Sequence, residues 1–207
     1  MQSLKELPKF NWSLARPKII ILSNNFDYTV LIVLGSFEMS VKIWRFIALM
    51  LTAFSLSLSM THLLEFPRRM LFDKDLWVRV TVFEGVYAMF GLIGAFFEPG
   101  AILAVLGVAF LVRGRPKILY WTLVSAALLF IAFMSWILFV NSANAELARW
   151  LTNPVPTDWT RTRNQWEYAH AVNAFIKIFG MAALVVSVII DTKGGKNYNG
   201  RTNKFNS

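Results

Sequence analysis

Apolar residues in this chain come in blocks of roughly twenty, the length an α-helix needs to cross about 30 Å of hydrocarbon at 1.5 Å rise per residue. Over the 207 residues, 56% are hydrophobic and 16% charged, far from the half and quarter usual in soluble domains, so water is not the main solvent of this protein. The blocks also decide what the net charge of +9 means. Basic residues sit at block ends instead of forming a stripe among stacking aromatics, so nucleic acid is not an expected partner. Membrane topology and anionic headgroups account for them better. The absence of cysteine excludes disulfides, thiolate ligands and a Cys nucleophile, and any metal site must use His, carboxylates or amides. The first block begins near Ile43, too far from Met1 and too long for a cleavable signal peptide, and is expected to persist as an anchor.

The blocks predict an all-α fold, a four-helix transmembrane bundle over residues 43–190. A short, weakly structured N-terminal cytoplasmic extension (1–42) precedes it and a basic cytoplasmic tail (191–207) follows. In the extension, apolar runs at 19–22 and 29–34 are too short to span, and the break Ser23-Asn24-Asn25-Phe26-Asp27 suits a small hairpin or a disordered tail. The first span is read at 43–64, stopped before Pro67, which disfavours helical geometry at its predecessor. Charged residues 68–80 with Trp77 fit a segment meeting headgroups. Residues 82–112 divide either into two spans hinged at Glu98-Pro99-Gly100 or into one kinked span of 87–112. Residues 101–112 alone are too short to cross, and the basic loop Arg113, Arg115 and Lys117 must share a side with the basic N-terminus, so one kinked helix is expected. The third span is read at 118–140, ending in Asn141-Ser142-Ala143-Asn144, and the fourth at 166–190, before a tail with Lys193, Lys196, Arg201 and Lys204. Four crossings put both termini in the cytoplasm.

Only two histidines occur, each one helical turn from a glutamate near a predicted outer helix end: His62 with Glu65, and Glu167 with His170. Residues three apart share a helical face, and the first helix runs outward while the fourth runs inward. Two His/Glu pairs can therefore meet at one depth. A Glu-x-x-His pair is what di-metal carboxylate bundles use, which makes His62, Glu65, Glu84, Glu167 and His170 a candidate metal set, although an incomplete one. Two imidazoles are also a candidate axial pair for haem. Asn141 and Asn144 end the third helix on the same side. The plainer alternative is that His and Glu at helix ends make ordinary interfacial hydrogen bonds.

Polar residues also form stripes along the spans: Thr52, Ser55, Ser59 and His62; Glu84, Tyr87, Gly91, Gly94 and Glu98; Glu167, His170, Asn173 and Lys177. Small and hydroxylated residues in such stripes serve mainly to let helices approach. Lys177 and Glu98 need more than that, because an unpaired charge at such depth costs at least about 2.5 kcal/mol. They are expected to face the bundle interior and approach each other.

The run Thr61-His62-Leu63-Leu64-Glu65-Phe66-Pro67, the loop Arg113-Gly114-Arg115-Pro116, the 141–144 helix end and Arg163-Asn164-Gln165-Trp166-Glu167-Tyr168-Ala169-His170 together resemble the anthrone-oxygenase-like membrane proteins, a broad family of four-helix proteins largely of unknown function. The resemblance covers about residues 43–190. It implies a small membrane bundle whose characterised relatives oxidise polycyclic anthrones to quinones with molecular oxygen and no conventional cofactor. His62, Glu65, Trp166, Glu167 and His170 match its recurring motif positions.

The leading expectation is thus an oxygenase-like or redox protein acting on a lipophilic aromatic or quinone-type small molecule. His62 or His170 would be the base, Glu65 and Glu167 would orient the rings, and Trp166, Tyr168, Asn141 and Asn144 would line the substrate. The other expectation is a non-enzymatic membrane module that binds a partner protein, lipid or pigment. A transporter fits less well, since no internal repeat is visible.

Overall fold

Why these helices form a bundle is clearest from which residues face outward. In the computed structural model, large apolar side chains such as Phe46 (66% exposed), Phe96 (73%) and Phe179 (63%) point away from the bundle, while Thr52, Asn173 and Lys177 are at most 2% exposed. This inverts the soluble pattern and leaves far more contiguous apolar surface than a soluble monomer shows. The structure describes residues 26–85 and 87–202, with side chains for 37–85, 87 and 89–191. No strand occurs among the described residues.

Helix α1 (Phe26–Arg69) leads to a short α2 (Lys74–Val78), which runs into a π-helical turn, Arg79–Phe83. Then come α3 (Ala88–Leu111) and α4 (Pro116–Ser135), which continues through a second π turn (Trp136–Val140) into α5 (Asn141–Arg149), and finally α6 (Trp159–Thr202). Four stretches, Phe37–Arg69, Met89–Leu111, Pro116–Arg149 and Trp159–Asp191, are long and apolar enough to cross a membrane. In cross-section α1 packs on α3 and α6, and α4 packs on the same two, which closes a four-helix ring. Region 82–112 contains a single span, Met89–Leu111, with Pro99 inside α3.

Helix boundaries differ from expectation in three places. Pro67 does not stop α1, which continues to Arg69; a Pro near a helix end removes one backbone bond, which membrane helices tolerate. The extra turn carries Arg69 inward to 2% exposure. At the other end α1 begins at Phe26, so run 29–34 is helical instead of an arm of a hairpin; extending a formed helix avoids the nucleation cost that a lone hairpin cannot offset. Run 19–22 lies outside the described residues. Nor is 141–144 a helix end, because the π turn passes the third span on into α5. Helix α6 is likewise longer than 166–190 at both ends; the side chains of Lys193, Lys196 and Arg201, and Lys204 entirely, lie outside the described residues.

The basic end of the ring is stapled by charge. Asp191 on α6 accepts from Arg45 on α1 (2.7 Å) and from Arg115 at the start of α4 (2.8 Å), and Arg115 also pairs with Glu38. The opposite end is capped by the segment between α1 and α3. Asp73 caps α2 by accepting from the Leu76 amide at 2.9 Å, and Trp77 and Val78 are buried. Trp77 packs against Trp150, Trp159 and Trp166, with ring centres 6.1 to 6.5 Å apart.

Candidate functional site

His62 on α1 and His170 on α6 meet inside the capped end, with their rings stacked 3.9 Å apart at an interplanar angle of 24°. Each is over nine-tenths buried. Antiparallel neighbouring helices bring the two positions to one depth, and aromatic rings fix the pair there. Trp166, one turn before His170, packs edge-on with its ring centre 4.4 Å from that of His170 and 5.0 Å from that of His62. Tyr87, at the start of α3, lies 4.9 Å from His62. The Trp166 indole N–H donates to Asn144 at 2.8 Å, so α5 holds the ring that holds the imidazoles. The Nδ1 atom of His62 is buried with no hydrogen-bond partner among the described residues.

The imidazoles border a cavity of about 310 Å³ lined by α1, α3, α4, α6, both π turns and α5. Its volume sits at the small end of the roughly 300–1,000 Å³ typical of ligand pockets. Phe90, Phe133, Trp136 and Trp166 supply aromatic walls, while Gly91, Gly94 and Ala95 on α3 leave the floor open. A Cβ added at Gly91 would meet nothing within 4 Å, so this glycine holds space in the cavity. Gly85, at φ +59°, turns the chain from the first π segment into α3 where an L side chain would be strained. Both departures from α-helix, Arg79–Phe83 and Trp136–Val140, border this one cavity, in keeping with the concentration of π turns at functional sites.

Neither glutamate orients an imidazole, contrary to expectation. Glu167, 1% exposed, accepts from Arg69 Nε (2.8 Å) and from Trp77 Nε1 (2.7 Å) through the same oxygen, Oε1. Glu65 accepts from the Tyr87 hydroxyl. Arg69 ties the group together by also donating to Tyr87 (2.9 Å) and Thr81 (2.7 Å), with its guanidinium 4.7 Å from the Tyr87 ring centre and 5.2 Å from that of Trp166. A buried arginine outcompetes a histidine for these carboxylates because its five donors form several charge-assisted bonds at once. Tyr87 lies just outside the spans; burial, and then its bond to Glu65, push its hydroxyl up to about 12, so it remains a donor.

Deeper in the bundle, Lys177 Nζ lies 2.5 Å from Glu98 Oε1 and 2.9 Å from Ser59 Oγ. Ser59 donates to Asn173 Oδ1 (3.2 Å), and Asn173 donates to the Ala132 carbonyl (2.6 Å). Glu98 and Ser59 also line the cavity. The pair therefore sits at the far end of the space that the imidazoles border.

Other candidates lie elsewhere. Tyr168 is 54% exposed and packs on Phe66 outside the cavity, so it forms no substrate wall. Asn141 is exposed, whereas Asn144 lines the cavity. Glu84 is exposed 3.7 Å from Arg79 and does not join the histidines. Among the described residues no three His or carboxylate side chains converge as a metal site; Glu167 turns Oε1 to Arg69 and Trp77, and Glu65 turns to Tyr87. A haem does not fit between the histidines either: stacked rings present faces to each other, not nitrogens to a shared iron. Arg69, Trp77 and Thr81 are not among the site residues expected from the sequence. The spacing of His62, Glu65 and Arg69, at three and seven, is a signal that marks one helical face. No family model, curated protein or solved structure matches the chain.

Proposed function

We propose that this protein is an oxygenase-like membrane protein, with both termini in the cytoplasm, that oxidises a lipophilic aromatic of the anthrone or hydroquinone kind in the cavity beside His62 and His170. The observation that carries the reading is a buried imidazole pair, with Nδ1 of His62 unengaged, against an aromatic-walled cavity within the bundle. A methylene flanked by two aromatic rings is acidic enough for an imidazole to remove its proton. The carbanion gives up its electrons to molecular oxygen as a C–O bond forms, and the resulting peroxide takes the proton. Loss of the second C–H proton with cleavage of the O–O bond then leaves a carbonyl and water. The balance is R2CH2 + O2 → R2CO + H2O for the methylene and QH2 + O2 → Q + H2O2 for a hydroquinone, and the chain's own groups only move protons. Trp166 and Tyr87 hold the imidazoles, and the Arg69 cluster holds Trp166 and Tyr87. The orientation rests on Arg113, Arg115 and Lys117, which cluster at the end opposite the cavity.

The test is oxygen uptake and quinone absorbance with anthrone and with a reduced hydroquinone, using purified protein in mild detergent. Both His62→Ala and His170→Ala are expected to lose at least about 100-fold in turnover, the scale of general-base catalysis. Undiminished uptake in both would refute the assignment. A second reading, a module that binds a lipophilic molecule without altering it, is favoured by one observation: Glu65 and Glu167 are bonded to Tyr87, Arg69 and Trp77, so neither polarises the base. Saturable binding of anthrone with no oxygen consumed would select it.

A further inference from the structure

Among the described residues Glu98 does not complete its hydrogen bonding. Its Oε1 takes the Lys177 ammonium at 2.5 Å, while Oε2 is buried and without a partner among the described residues. The groups around it are committed: Ser59 accepts from Lys177 and donates to Asn173, which is bound to the Ala132 carbonyl. A buried acceptor left unmade is costly, more so on a carboxylate, and the open space that Glu98 borders is the cavity. Gly94 lies beside this carboxylate on the cavity wall, where an added Cβ would make an ordinary contact 3.8 Å from Glu98 Oε1.

We propose that Glu98 Oε2 is the subsite for an O–H or N–H donor on the ligand, so that the ligand is an elongated aromatic bearing a hydroxyl or amino group at the end remote from the imidazoles. Lys177 lies seven residues beyond His170, about 10 Å along the axis, and Glu98 lies seven beyond Gly91. That span matches a fused two- or three-ring system lying over Gly91 and Gly94. The donor fixes which end enters first and so which ring carbon rests beside His62. This subsite rests on the aromatic-ligand part of the proposal above and is independent of whether oxidation follows. Lys177 is a positioning residue here: it holds one carboxylate oxygen and leaves the other free for the ligand.

The experiment measures binding of anthracene, 2-hydroxyanthracene and 2-methoxyanthracene to nanodisc-embedded protein by quenching of tryptophan fluorescence, since Trp136 and Trp166 line the cavity. Partitioning into the same bilayer is common to all variants, so comparison between variants reads the site. The wild type is expected to prefer the hydroxyl over the methoxy probe by about tenfold or more, the scale of one hydrogen bond to a charged group. Glu98→Gln is expected to reduce that preference to within about twofold, and Gly91→Leu to weaken all three probes. A wild type with no hydroxyl preference overturns the proposal whether or not the variants fold, as does a preference that survives Glu98→Gln or binding of all three probes unchanged by Gly91→Leu. Preference intact with no oxygen uptake would end the oxidation reading alone. Preference absent with oxygen uptake intact would end the subsite alone.

Discussion

The two ends of the bundle solve the same packing problem in opposite ways. At the basic end, small and branched residues close the space between helices: Val41 and Ala48 of α1 meet Ala101, Ala104, Val105 and Val108 of α3 in one dry cluster. There Gly107 lets Trp44 lie so close that an added Cβ would stand 2.9 Å from the indole. At the other end the same helix carries Gly91, where an added Cβ meets nothing. One glycine serves contact and the other serves emptiness. Without a hydrophobic drive between helices in lipid, the closed end holds by close approach and by the Arg45–Asp191–Arg115 staple. The open end cannot use close approach and holds instead by a network centred on Arg69.

The contrast can be broken at several points. Arg69→Met should have the largest effect on stability, about 3–5 kcal/mol by thermal unfolding in detergent, because it leaves Glu167 buried without its charge partner. Resistance to that change would mean that the open end is held by its tryptophans alone. Next, Gly107→Val should cost about 1–3 kcal/mol by driving against Trp44, whereas Gly91→Leu should shift stability by no more than about 0.5 kcal/mol while filling the cavity. Equal losses at both glycines would erase the distinction between the two ends. The smallest effect concerns pH. A tyrosine raised to about 12 from an unfolded value near 10 adds stability that is complete below about pH 10 and lost as pH rises through 12. The melting-temperature gap between wild type and Tyr87→Phe should therefore stay constant from pH 6 to 9 and narrow only above about pH 10. A gap that changes near neutrality would contradict it.

Much of this architecture can be read from spacing. The stripes Thr52, Ser55, Ser59, His62 and His170, Asn173, Lys177 are all buried, because in lipid a recurring polar position has nowhere else to go. Opposed helix directions suffice to bring His62 to His170, and depth alone to bring Glu98 to Lys177. The partners of Glu65 and Glu167 were not legible. Which donor wins a carboxylate depends on how far α1 continues past Pro67 and on the fold-back of Trp77, both tertiary outcomes. Tyr168 is a different kind of miss: two residues from Trp166 it lies about 200° around the helix, and periodicity alone argues against its sharing the cavity. The π turns carry no sequence signal, since their strain is offset only by contacts made after folding.

The second of those turns, Trp136–Val140, has a consequence for the whole third span. One residue beyond the regular count advances everything after it by about 100° relative to a continuous α-helix. In an unbroken α-helix Ala143 and Trp150, eleven and eighteen residues after the buried Ala132, would share its face; the added residue turns that buried face toward the capped end, where Trp150 meets Trp77 and Asn144 reaches Trp166. A single rod of one phase would present one apolar stripe from end to end. This one presents two in sequence, the first facing the sealed half and the second facing the half that has room for a guest.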